Sequence, residues 1–81
     1  MIALILIAHP NQAIRLKYKT MHEMAGDYVF EAESGVEALF LTRVIKFDRI
    51  LVDRFINEIG FQGVYDELEG QGYGELVEEI Q

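Results

Sequence analysis

The feature that most constrains this chain is its opening run, Ile2-Ala-Leu-Ile-Leu-Ile-Ala8, unbroken aliphatic sequence closed by His9-Pro10. A strand with one face in water alternates apolar and polar residues. One that is apolar at every position is buried on both faces, which requires a parallel sheet with helices on each side. The run is too short to span a bilayer, and no basic leader or small-residue cleavage site marks it for export. A cytoplasmic α/β domain is expected, without a membrane partner.

The rest of the chain supplies the crossovers such a sheet needs. Asn11 is a good N-cap, and Ile14, Tyr18, Met21 and Ala25 recur at helical spacing, predicting an apolar helix face with Gly26 as the left-handed terminator. Tyr28–Ala32 reads as a second strand. Ser34 and Glu37 form a capping-box pattern ahead of Ala38, Leu39, Phe40 and Leu41, so a second helix is expected over 35–45. Arg49–Val52 is a third strand with Asp53 at its carboxyl end. Beyond it, 54–62 reads as a loop and 63–69 as a short helix with Val64 and Leu68 inward. Residues 70–74 form a glycine-rich break, and 75–80 fit either a helical turn or a strand. The order β-α-β-α-β-α with right-handed crossovers gives a parallel sheet of strand order 2-1-3.

Eighty-one residues make one domain, 1–81, with a core over 1–69 and an acidic C-terminal segment over 70–81. A domain of this size buries only roughly 60% of its unfolded surface, and without cysteines it has no disulfide to compensate. Association is a common remedy in small folds. The net charge is −7, and residues 54–81 set Arg54 against Glu58, Asp66, Glu67, Glu69, Glu75, Glu78 and Glu79. The one basic cluster is Arg15, Lys17 and Lys19. That is a poor counter-charge for a phosphate backbone, so nucleic acid is not an expected partner.

In open parallel sheets function gathers where strands end, and here the ends bring together His9, Pro10 and Asp53. The segments Leu6-Ile-Ala-His-Pro-Asn11, Ile14-Arg15, Ala32-Glu-Ser-Gly-Val-Glu-Ala-Leu39 and Asp48-Arg-Ile-Leu-Val-Asp53 resemble, in order and spacing, a response-regulator receiver domain of two-component signalling. The resemblance covers residues 2–69 and implies a flavodoxin-like receiver fold with Asp53 at the phosphoacceptor position. It also implies two adjacent acids at the end of the first strand, holding Mg²⁺ together with that aspartate. Here His9 and Pro10 stand in their place. Mg²⁺ needs hard oxygen ligands, and phosphoryl transfer to a carboxylate needs its charge offset, so loss of the metal site is expected, with no cofactor. Two further departures follow Asp53. Ile56-Asn57 replaces the family's Met-Pro, and Phe61 a glycine. The chain also stops before the two strand–helix units in which the family carries a hydroxyl residue and a lysine at the phosphoryl group.

Three strands in the order 2-1-3 leave the apolar third strand as an open edge, a template for another chain. The expectation is a shortened receiver fold completed by a homodimer or a signalling partner, with Ile50, Val52, Phe55, Tyr73, Leu76 and Ile80 as interface candidates. The reading is a non-catalytic pseudo-receiver. A domain still phosphorylated on Asp53, with Mg²⁺, is the alternative. A different α/β enzyme ranks last, since no glycine-rich phosphate loop and no nucleophile–base pair is evident. Plainer readings stand beside these: Asp53 as a strand-end carboxylate without chemistry, His9 as a hydrogen-bonded loop histidine, and His22 as solvated.

Overall fold

The aliphatic run becomes the centre of a four-stranded parallel sheet. A computed structural model describes residues 2–81. Strand β1 (Leu4–Ala8) lies between β2 (Tyr28–Ala32) and β3 (Arg49–Asp53), with β4 (Val77–Ile80) outside β3, giving the order β2-β1-β3-β4. Leu6, Ala8, Ile50 and Val52 face helices α2 (Gly35–Val44) and α3 (Gly60–Gly70), packing with Ala38, Leu39, Val64 and Leu68. Ile5, Ile7, Leu51 and Ile80 form a second cluster on the opposite face, with Tyr18 of α1 (Gln12–Met24) against it. The absence of alternation in the first strand is thus the signature of a strand covered on both sides.

Local signals set most of the boundaries. The Asn11 side chain accepts from the N–H groups of Ala13 and Ile14, and Gly26 adopts φ +93° just past the end of α1. Ser34 Oγ accepts from the Glu37 N–H, while the Glu37 carboxylate reaches back to the N–H of Glu33, one residue before the cap. The expected apolar face of α1 is only half realised. Ile14 and Tyr18 are half-buried, but Met21 and Ala25 are exposed, and the buried residue is Arg15. Its guanidinium finds acceptors at the sheet end, so its apolar stem packs inward without stranding a charge. Helix α3 begins three residues before its expected start, following Glu58 and Ile59, both with positive φ.

The largest correction concerns β3. It is not an edge, because residues 77–80 form a strand of the same chain with Ile50 opposite Val77 and Asp53 opposite Ile80. Arg49 pairs with Glu78 at 2.6 Å and Arg54 with Glu79 at 3.0 Å, so the glutamates that obscured the strand in the sequence fasten it to its neighbour. Four of the interface candidates, Ile50, Val52, Tyr73 and Ile80, are accordingly buried within the chain. Tyr73 is an internal latch: its hydroxyl accepts from the Phe47 N–H at 3.0 Å. Phe55 and Leu76 remain exposed. The short 3-10 turn Gly74–Leu76 leads from the latch into β4.

Candidate functional site

At the carboxyl ends of β1 and β3 the chain places His9 and Asp53 side by side, with Nε2 3.5 Å from Oδ1 and both side chains more than nine-tenths buried. Ala8 and Val52, the residues before them, are register partners, so the juxtaposition is a direct product of sheet pairing. His9 is held on every side. Its N–H donates to the Ala32 carbonyl at 3.0 Å, and its own carbonyl accepts from Arg15 Nη1 at 2.7 Å. Its Nδ1 accepts from the Asn11 N–H at 3.0 Å. A backbone amide can only donate, so Nδ1 carries the lone pair and the neutral ring bears its proton on Nε2, facing Asp53. The turn that caps α1 therefore also sets the tautomer of His9.

That tautomer bears on the metal question. A histidine ligates through an unprotonated nitrogen while its other nitrogen donates to a neighbour. In His9 both roles are reversed: the nitrogen facing the site bears the proton, and the other accepts. The Pro10 side chain has no donor atom to offer. Asp53 is left as a single carboxylate, and no three His, Asp or Glu side chains among the described residues converge on a common point. This donor set does not fit Mg²⁺, which takes several oxygens in a near-octahedral shell.

Arg15 belongs to the site, although helical spacing leaves it off the expected apolar face of α1. Its Nε pairs with Glu31 at 3.0 Å and its Nη2 approaches Glu33 at 3.5 Å, tying α1 to the end of β2. The available signal was the pair Glu31 and Glu33 closing a strand next to the only basic cluster. On the other side, Ile56 donates its N–H to the Asp53 carbonyl at 3.1 Å, and the Asn57 carbonyl accepts from the Gly35 N–H at 3.0 Å. A side chain at position 35 would run into the Glu58 carbonyl and a Val64 methyl, so glycine there lets the loop after β3 seat on the start of α2. His22, expected in solvent, is half-buried with Nδ1 3.4 Å from Asp27, away from the site.

Solved structures that superpose on this chain include receiver domains of response regulators and of a histidine kinase. The receiver domain of the Francisella response regulator 1452 matches with TM-score 0.86 at 26% identity, over 95% of this chain and 64% of its own length. The chain has the receiver-domain fold. The chemotaxis response regulator CheY4 of Vibrio cholerae gives TM-score 0.86 at 23% identity, covering 98% of this chain and 68% of that one. The receiver domain of a signal transduction histidine kinase from Syntrophus aciditrophicus gives TM-score 0.85 at 22% identity, over 98% of this chain and 61% of its own. The chain thus spans about two thirds of the receiver structures it matches. No family model and no curated protein matches the sequence. Within this receiver fold no helix of the described residues is long and apolar enough to cross a membrane.

Proposed function

We propose that this domain is a pseudo-receiver: a non-catalytic, cytoplasmic module of signal transduction that works through protein contacts, with a second copy or a signalling protein as partner rather than nucleic acid or membrane. The observation that carries the reading is His9, whose protonated Nε2 faces Asp53 where a receiver would need acidic metal ligands. The Nε2–H dipole faces the carboxylate from a fixed position, replacing with one neutral donor what a divalent ion would do with full charge. At 3.5 Å this is a loose electrostatic contact, suited to keeping a buried carboxylate quiet.

The test is incubation with acetyl phosphate, or with beryllofluoride as a mimic, in the presence of Mg²⁺, read by intact mass and by NMR shifts around Asp53. The wild-type chain is expected to stay unmodified and to show no Mg²⁺-dependent shifts. The double substitution His9→Asp with Pro10→Asp should gain Mg²⁺ binding. A wild-type adduct that disappears in Asp53→Asn would establish the phosphoacceptor alternative and sink this reading.

A further inference from the structure

The sheet has two open edges, and they differ in how they are guarded. Strand β2 spends one side of its backbone on β1: the Tyr28 N–H donates to the Ala3 carbonyl, and the Ala32 carbonyl accepts from the His9 N–H. Peptide groups alternate along a strand, so the N–H and C=O of Val29 and Glu31 point outward. No strand of the described residues receives them. The strand is regular, Tyr-Val-Phe-Glu-Ala, with no proline, lysine or bulge to blunt its edge. Its one charge, Glu31, is matched within the chain by Arg15 at 3.0 Å and Lys19 at 3.4 Å. On the face shared with α2, Tyr28 is 62% and Phe30 37% exposed. Strand β4 is the opposite case. Glu78 and Glu79 fill its middle, and antiparallel pairing centred on either sets a glutamate against its own copy.

We propose that the β2 edge pairs antiparallel with β2 of a second copy, about a two-fold axis normal to the sheet and centred on Phe30. This rests on the reading that the domain acts by protein contact, and it names the surface. In that register Phe30 meets its own copy, Val29 lies opposite Glu31, and Tyr28 lies opposite Ala32. Val29 and Glu31 exchange both of their outward bonds across the axis, and no like charges face each other within the strand. Centring on Glu31 would oppose two glutamates, and centring on Val29 would set Asp27 against Glu31. With Phe30 at the centre, Asp27 faces Glu33 only beyond the strand ends, and each is turned to a base of its own chain, His22 and Arg15. Helix α2 fits the same operator. Arg43 reaches Glu67 of α3, so Leu41 and Ile45, each about 200° round from it, lie on the flank toward the β2 edge, half-buried. Since α2 lies over β2 and β1, the axis sets the two copies of α2 roughly 10 Å apart, an ordinary helix-packing distance. Two four-stranded sheets thereby become one, and the contact closes as a dimer.

Light scattering coupled to size exclusion, at concentrations rising into the millimolar range, together with amide hydrogen exchange, tests this. The wild-type mass should climb to that of a dimer and stop there. Over the same range the Val29 and Glu31 amides should slow by about tenfold or more, while that of Phe30, directed at β1 in both states, should not follow them. Phe30→Lys and Phe30→Glu should each stay monomeric alone, since like charges meet at the axis, yet form a one-to-one dimer when mixed. Circular dichroism checks their folding, because Phe30 also packs edge-on against Phe47. If either is unfolded, the wild-type exchange profile decides. Overturning results are a wild-type chain that is monomeric throughout, a dimer whose Val29 and Glu31 amides exchange as fast as in dilute protein, or a folded Phe30→Lys and Phe30→Glu mixture that stays monomeric. Each leaves the pseudo-receiver reading to be decided separately by the phosphorylation assay.

Discussion

Ile59 carries a backbone conformation that a β-branched residue ordinarily avoids, φ 79° and ψ −32°, directly after Glu58 at φ 59°. Such geometry costs on the order of 1–3 kcal/mol and persists only where the surroundings impose it. Here the imposing contacts are the loop's attachment to Gly35 and the burial of Ile56. Glycine accepts positive φ freely, and the Ile59 side chain is largely exposed, so Ile59→Gly is expected to stabilise the domain by about 1 kcal/mol, measured by urea unfolding. At this scale the sequence was legible where one residue's chemistry decides one turn. Asn11, Gly26 and Ser34 all do what their residue types suggest. It was opaque at Arg15, because helical spacing cannot show that a carbonyl and two carboxylates from other elements wait to receive a guanidinium.

Whole elements divide along the same line. Strand β2 matches its expected bounds and α2 ends one residue early, both being marked by local punctuation. Val-Glu-Glu-Ile has neither strand alternation nor helical periodicity, and the partners that make it β4, Arg49 and Arg54, lie some 25–29 residues upstream. The segment before it is fixed by Tyr73, which lies in the core of its own chain rather than at the interface expected for it. Tyr73→Phe keeps the ring and deletes the hydroxyl, leaving the buried Phe47 N–H without its acceptor. A loss of about 1–3 kcal/mol is expected in the same urea titration, with little change in its slope.

For the molecule as a whole, the pairing of charge with apolar surface matters more than the total of −7. The acidic half of the chain contributes α3 and β4, and the basic cluster sits on α1 across the sheet. The ion pairs that hold β4 engage Arg49 and Arg54, and those of Arg15 and Lys19 tie α1 to Glu31. The fold class, the parallel sheet and the meeting of His9 with Asp53 follow from patterns within single segments plus the handedness of crossovers. Which surfaces stay open does not, since that depends on what β4 covers. The open edge first expected at β3 has moved one strand outward, and exposed apolar side chains are shared between the helices, as at Met24 and Phe40, and the loops, as at Phe55.

The place of β4 in chain order also governs timing. All four strands are parallel, so no neighbouring pair can zip from a tight hairpin, and each must await a full crossover. During synthesis the seal on β3 is therefore available only after the strand it covers and the whole of α3 have been made. Until Val77–Ile80 docks, Ile50 and Val52 sit on a bare strand flank, and the half-made molecule is sticky in a way the finished one is not. Deleting residues 77–81 should hold the chain in that state. The shortened protein is expected to aggregate on expression and to bind a hydrophobic dye strongly, whereas soluble protein with native circular dichroism would show that the sheet closes without it. Four residues thus act as a stopper fitted after the strand they cover, and exposure to misassembly is set by how long they take to arrive.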